Sequence, residues 1–423
     1  MRVALSVCAC AIMLAVGPAR GVVWNGETVD TLGSNATSLA VDRNGTPHIA
    51  YHYSISQYNT GVRYAKRGPA GGWTVTRVDS SAVLGNAVGG SVAIGLDSSG
   101  NPWIAYRFET LASDTLKVAH WNGSGWDISR VDDRRPKSLT DYQVVVDRTN
   151  RPHVIYRSQW VVCHAELNGS TWERDTVCYI GFSGPPEAVL DSQDRLHVGV
   201  CNYDTVFVFN GPDWDTSLAA LIDNGTWVAV HAAIDGNDRI HLAYSRVVSA
   251  GKWGICCSRQ MAAGGWTSEV VDSVDIPLVP TGIDIAADVQ GSELLVYPKQ
   301  YGATPCLVSA TGPGGWQVAL VDSSDGFVDA DLVLGPGNVA SLCFPGSVEF
   351  FSGSLSGGAV RPFAAAGAGR PGLAWQTRVM LPGSGLRPAQ ASAWDMLGRA
   401  AAVLHQGRTG LAAPLVTGEQ AGR

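Results

Sequence analysis

Seven tryptophans at nearly even spacing constrain the fold of this chain more than any other feature. Trp24, Trp73, Trp126, Trp172, Trp214, Trp266 and Trp316 each open a strand-like run, at intervals of 42 to 53 residues. In five of the seven an Asp follows six residues later: Asp30, Asp79, Asp132, Asp272 and Asp322. A second register runs beside the first. Asp42, Asp97, Asp147, Asp191, Asp235 and Asp288 each begin a turn, with Gly335 in the seventh slot. Nine residues later stand Tyr51, Tyr106, Tyr156, Val200, Tyr244, Tyr297 and Phe344, with no insertion in any unit. Three residues after the Asp slot come Gly45, Gly100, Asn150, Asp194, Asp238, Gly291 and Asn338. These residue types tolerate positive φ or bond locally to the backbone, so the slot is a tight turn between two strands.

The first unit shows the layout. Ser38–Val41 is a short apolar strand, Asp42–Gly45 a turn, and Pro47–Tyr51 a second strand with Pro at its first position, where a missing donor is tolerated. Val62–Ala65 reads as a third strand, and Gly71 and Gly72 turn the chain into a fourth, Trp73–Val78. β-Branched and aromatic residues fill the runs, Gly, Pro, Asn and Asp separate them, and no segment has a helical period. Four short strands per unit at this spacing predict the blades of a β-propeller.

The ends of the array are offset. Trp24 to Asp30 is a fourth strand without the three that should precede it, and the final unit has three strands (Asp331–Leu334, Val339–Phe344, Val348–Ser352) without a Trp-led fourth. Pairing the N-terminal strand into the last blade completes both and removes the exposed sheet edges. The expected fold class is therefore all-β: a seven-bladed propeller over residues 22–353, closed by the N-terminal strand.

Composition bounds the rest. Only 16% of the residues are charged, there are 50 glycines, and the net charge is −7 with no basic run, which disfavours binding to nucleic acid. Residues 1–21 carry a positive start, the apolar stretch Val3–Val16 and small residues after it, the pattern of a secretory signal peptide. No membrane span is expected in the mature chain, which should be secreted or held at the cell surface, as a monomer. Beyond the signal stand seven cysteines, an odd number, mostly at strand positions. Cys163 and Cys178 fall on adjacent strands of the third blade and are the pair placed to form a disulfide in an exported protein. No Cys or His spacing implies a metal, and no cofactor is expected.

After Ser352 the composition shifts. Residues 354–371 are a linker rich in Gly, Ala and Pro, and 372–423 contain Thr377-Arg378-Val379-Met380-Leu381-Pro382 and Trp394-Asp395-Met396-Leu397-Gly398-Arg399. These two runs resemble strands of the immunoglobulin-like sorting domains of secreted bacterial proteins, type IX sorting domains and flagellar-hook-capping-like modules. The resemblance implies a partial, β-sandwich-like segment whose final strands are missing after Gly407. The propeller units themselves resemble the sialidase-like and lectin-like propellers of secreted bacterial proteins. The sialidase Asp-box joins third and fourth strands, whereas the Asp turn here joins first and second, and no arginine triad can be assigned residue by residue.

In a propeller the second-to-third and fourth-to-first loops share the face where ligands usually bind. Tyr51, His52 and Tyr53, Tyr106 and Arg107, Tyr156 and Arg157, Tyr244 to Arg246, and Tyr297 to Lys299 end second strands and enter that face. The recurring Tyr reads as packing between blades. The variable residues His52, Tyr53, Arg107, Arg157, Arg246 and Lys299 are the candidate ligand-binding groups, since aromatic faces suit sugar rings and Arg grips carboxylates. The fourth-strand Asp residues end on the same face, as acceptors of local backbone bonds or as a carboxylate ring. Glu109 and Asp114 share a loop and are possible acid/base carboxylates. His48, His153, His197 and His241 occupy one slot, filled by Trp103 in the second unit, and so read as packing. The expected function is non-catalytic binding or scaffolding towards glycan or protein; the alternative is a sialidase-like glycan hydrolase or polysaccharide lyase. An inward cluster of carboxylates accompanied by Arg would favour the alternative.

Overall fold

The computed structural model describes residues 21–358, apart from the connecting segments 57–58, 84–85, 135–138, 180–183, 203–204, 222–229, 250, 276–281, 302–303, 313–314 and 324–329. The signal-peptide reading, Gly21 excepted, and the sorting-type segment fall outside these residues; of the linker expected at 354–371, residues 354–358 instead continue the last strand, Gly346–Gly358, and the rest lies outside.

Seven antiparallel sheets of four strands form the propeller. The only helical element among the described residues is the single 3-10 turn Pro336–Asn338. Blades 1 to 6 each use four consecutive strands, from Thr37–Val41 in blade 1 to Gln317–Asp322 in blade 6. Blade 7 takes Asp331–Gly335, Val339–Phe344 and Gly346–Gly358, and its outermost strand is the N-terminal Gly21–Ser34. Trp24 pairs with Gly353, Gly26 with Phe351 and Thr28 with Glu349. Gly26 has no Cβ because the Phe351 ring occupies that space. The offset ends of the repeat thus close the ring as expected.

The apolar core lies between the blades. Seven clusters of buried side chains fill the seven blade interfaces, and the one formed by Leu39, Ile49, Tyr51 and Ala65 with Cys343, Val348 and Phe350 joins blade 1 to blade 7. A sheet buried on both faces needs partners on both sides, and only a closed ring supplies them for every blade.

The repeated polar residues lock these interfaces. The Trp of an outer strand reaches back to the preceding blade: the indole N–H groups of Trp73, Trp172, Trp214 and Trp316 donate to Glu27, Ser129, Asp175 and Glu269, each three residues after the preceding Trp. The Asp six residues after a Trp reaches forward. Asp30, Asp79, Asp132 and Asp272 accept the hydroxyls of Tyr51, Tyr106, Tyr156 and Tyr297 of the following blade at 2.6–2.9 Å. Where the Asp slot holds Cys178, the aromatic slot holds Val200, and opposite Asp322 stands Phe344, which has no hydroxyl. Tyr244, opposite Ala220, bonds Ser258 of its own blade instead.

The turn aspartates repeat one geometry. In six blades Oδ1 accepts the backbone N–H groups two and four residues on, as Asp191 does from Gln193 and Arg195 at 2.8 and 2.9 Å. All seven residues at the fourth position of the turn have φ between 59° and 84°. Three of them, Asn150, Asp194 and Asp238, also accept the turn N–H of Ser98, Arg148 and Ser192 in the preceding blade. The shared-slot histidines are buried behind these turns. The Nε2 atoms of His48, His153, His197 and His241 lie 3.3–3.6 Å from the turn carboxylate. In blade 2, where Trp103 takes the slot, His120 stacks on it and supplies the nitrogen, 3.7 Å from Asp97.

Candidate functional site

Two regions face the axis or the loop end of the propeller. The loop face carries the residues singled out in the sequence. His52 is buried over Gly89, whose φ of +100° and missing side chain make room for the imidazole. Burial and the nearby Arg107 push its pKa down to about 4, so it is neutral. Tyr53 is buried beneath the guanidinium of Arg63, 4.8 Å from the ring centre. Arg107 is ion-paired with Glu109 and lies 3.6 Å from Asp114. Those two carboxylates form a cross-strand pair and hold one cation between them. Arg157 bonds Asp141 at 2.8 Å and Thr140 at 3.2 Å. Tyr142, buried between, feels Arg107 together with Asp114, Asp141 and Glu109. Structure therefore joins His52, Arg107 and Arg157 into one polar patch over blades 1 to 3. Arg246 stands apart, beside Tyr244 and Cys256 in blade 5. Lys299 stands apart in blade 6, its Nζ 2.6 Å from Asp272 and 5.5 Å from the centre of the Tyr301 ring.

The fourth-strand aspartates do not form a free carboxylate ring. Each tyrosine latch carries its own cation: Arg63 on Asp30, Lys117 on Asp79, Arg174 on Asp132 and Lys299 on Asp272, at 2.5–3.0 Å. The local backbone bonds expected for them are present at Asp30, Asp79, Asp272 and Asp322.

Around these paired charges the loop face presents apolar and aromatic surface. Leu111, between the second and third strands of blade 2, is 82% exposed. In blade 3, Trp160 of the second-to-third turn is 51% exposed, and Tyr179, at the end of the fourth strand, is 79% exposed. Ile55 and Tyr301 end the second strands of blades 1 and 6.

The second region was not singled out in the sequence. The slot four residues before each turn Asp holds Ser38, Ala93, Gln143, Glu187, His231, Asp284 and Asp331. All lie on innermost strands, which follow one another around the axis. An innermost strand leaves one edge of backbone groups without a strand partner, and this slot supplies acceptors to it. The N–H groups of Ile94, Leu332 and Leu39 donate to Ser38, Asp284 and Asp331 of the preceding blade at 3.2, 2.6 and 2.6 Å. Gln143 Nε2 donates to Glu187. His231 Nδ1 lies 3.7 Å from Glu187 and 3.5 Å from Asp284. The result is a polar belt of three carboxyl groups, one imidazole, one amide and one hydroxyl.

Charge is crowded there. Burial raises the Glu187 pKa to about 8; Asp284 and Asp331 add to the rise, while His231 and Gln143 oppose it. Solvent nevertheless reaches 15% of the Glu187 side chain. Burial and the neighbouring Asp284 raise Asp331 well above the ordinary carboxylate range, against the bonds from Leu39 and Ser38. The signal that could have found this belt is positional: a fixed offset from the turn Asp, with no shared residue type.

All seven cysteines beyond the N-terminal segment are thiols in this structure. Cys163 and Cys178 sit on paired strands, but a register shift between Val162 and Cys163 sets Cys178 opposite Val162 and Cys163 opposite Thr176. Burial and the neighbouring Cys163 push the Cys178 thiol up to about 12. Among the described residues one cluster has metal-ligand spacing: His153, His164 and Glu166 in blade 3.

No protein-family model matches the chain, and no curated protein sequence matches it. Solved structures do. The chain is similar to the Hadza microbial sialidase at 13% identity, over 78% of this chain and 68% of that one, with a TM-score of 0.46. It is similar to the NanB sialidase of Streptococcus pneumoniae at 11% identity, over 80% and 71%, with a TM-score of 0.45. It is also similar to the Aleuria aurantia lectin in complex with alpha-methyl-L-fucoside, at 13% identity over 71% and 99%, with a TM-score of 0.42. At these values the likeness carries over no activity and no ligand. No helix among the described residues is long and apolar enough to cross a membrane.

Proposed function

We propose that this protein is a non-catalytic binding or scaffold module, acting outside the cell as a monomer, whose ligand docks on the loop face. The observation that supports this is the exposure of Trp160 and Tyr179 at the loop end of blade 3, where Val161 pairs with Tyr179, on a face whose cations Arg107 and Arg157 are already neutralised. An anionic ligand gripped by Arg107 or Arg157 must displace Glu109 and Asp114, or Asp141. A neutral sugar ring or an aromatic peptide side chain needs only an exposed aromatic face and the neighbouring hydrogen-bonding groups. In this reading glycan is the first ligand class and protein the second. His52, Tyr53, Arg107, Arg157, Arg246 and Lys299 act chiefly by fixing the shape of the face.

The channel belt favours a second reading, glycan hydrolysis. Glycoside hydrolases use one carboxyl group kept protonated near neutral pH and a second kept ionised. Glu187, raised to about 8, has the first property, and Asp284 stands beside it through His231. Gln143 and His231 flank Glu187 in this belt.

A glycan array probed with wild type, a Trp160→Ala/Tyr179→Ala variant and Glu187→Gln separates the two. The binding reading expects a hit that the aromatic double variant weakens at least about tenfold with the fold intact. Binding unchanged in that variant, with a hydrolytic activity lost in Glu187→Gln, would replace it with the second reading.

A further inference from the structure

Blade 3 departs from the other blades in the polar layer behind its turn. At the shared histidine slot, His48, His197 and His241 satisfy Nδ1 with Tyr64, Asn210 and Glu293, at 2.6–2.7 Å. His153 instead directs Nδ1 to the Nε2 of His164, 3.0 Å away, and to Glu166 Oε2, 3.6 Å away. These three ligand atoms all lie within 4.8 Å of one another. Four ligands at the usual zinc–nitrogen and zinc–oxygen lengths stand about 3.3 Å apart around a tetrahedral ion, so the triangle is close to the size a metal needs.

The surroundings fit the same chemistry. The far nitrogen of His153 lies 3.6 Å from Asp147 Oδ2, the carboxylate–histidine arrangement that orients an imidazole towards a metal. Asp147 is itself fixed by the N–H groups of Thr149 and Arg151. His164 is held at its ring edge by Trp214 of blade 4, 5.5 Å between centres. Asp175 and Glu173 pair across the strands with His164 and Glu166. Four carboxylates, Asp147, Glu166, Glu173 and Asp175, thus stand around this group, and the cation Arg151 lies 3.7 Å from Glu166 and 3.2 Å from Asp147. His164 and Glu166 are half-buried, so both remain in reach of solvent.

We infer that His153, His164 and Glu166 form a site for a first-row divalent metal, zinc by preference, with Asp147 as the group that orients His153. Two imidazoles and one carboxylate suit zinc and cobalt and suit calcium or magnesium poorly. Binding requires Arg151 to yield Glu166, from which it lies 3.7 Å, and to keep Asp147, to which it is hydrogen-bonded.

The test is metal binding by the full chain, purified without a histidine tag and stripped of metal. Equilibrium dialysis against zinc should give one ion per chain, and cobalt should give the intense visible bands of a tetrahedral site. Glu166→Gln and His164→Gln, each verified by its melting curve, should lower the affinity at least about tenfold. Wild-type protein that takes up no zinc and gives no tetrahedral cobalt spectrum would overturn the inference. So would uptake that persists unchanged in a His164→Gln/Glu166→Gln double variant. Should either variant fail to fold, the wild-type stoichiometry and spectrum decide alone.

Discussion

The turns behind the blades and the belt around the axis use the same residue types for opposite ends. Each turn Asp is half-surrounded by donors. Burial opposes its charge, but the N–H groups of Arg195 and Gln193 outweigh it at Asp191 and hold the carboxyl down at about 2. Asp42, Asp97, Asp147 and Asp235 are lowered in the same way. Four residues earlier on the innermost strands, Glu187 and Asp331 have fewer donors and more carboxylates as neighbours, and both are raised. The difference teaches where the repeat serves the scaffold. The repeated turn position is met by backbone donors, while the slot that varies along the innermost strands gathers carboxyl groups with fewer donors.

The largest effect should come from breaking the regular side outright. Deleting residues 22–31 removes the outermost strand of blade 7 and Asp30 with it, leaving Tyr51, Arg63 and two blade interfaces open. The expected outcome is loss of the cooperative melting transition; an unchanged melting temperature would show that the ring does not depend on its closing strand. Next comes a single turn. Asp191→Ala strands the N–H groups of Gln193 and Arg195 and the Arg195 side chain, and should cost about 3 kcal/mol or more in denaturant unfolding. A smaller step tests the latches. Tyr156→Phe deletes the hydroxyl bonded to buried Asp132 and should cost about 1–2 kcal/mol. Asp322→Asn, opposite Phe344, should change stability by no more than about 0.5 kcal/mol. Equal losses at the two interfaces would remove the distinction between latched and unlatched blades.

Much of the regular side was legible in the sequence. The Trp spacing counts seven blades because each Trp stands in or one residue before an outer strand, and five of the indoles bond the blade before them. The turn register is readable because Asp and a residue of positive φ have backbone reasons for their places. Less visible was the slot three residues after each Trp, where Glu27, Ser129, Asp175 and Glu269 receive the next indole through different atoms. The channel belt was hidden for the same reason. Ser38, Gln143, Glu187, His231 and Asp331 share a position and not a chemistry, so only the offset from the turn reveals them. Lys299 and Arg107 looked free in the sequence because their partners depend on strand register and blade contact. Asp272 comes from the preceding blade, and Asp114 from the facing strand. His153 and His164 are eleven residues apart and meet only because the turn at Gln159 and Trp160 folds one strand onto the other.

The pH dependence of melting, compared between wild type and a Glu187→Gln/Asp331→Asn variant, tests the contrast between turn and channel most directly. The folded pKa of Glu187 is raised from 4.5 to about 8, so its contribution to stability is full below 4.5 and is lost as pH rises towards 8. Asp331, also raised, adds a loss of the same sign. Turn aspartates such as Asp191, lowered from 3.8 to about 2, act the other way and lose their contribution only as pH falls below 3.8. The predicted result is that wild type loses melting temperature relative to the variant between about pH 5 and about pH 8, with the gap widest at the alkaline end. A gap that does not change with pH, or one that moves in favour of wild type as pH rises, would contradict the account.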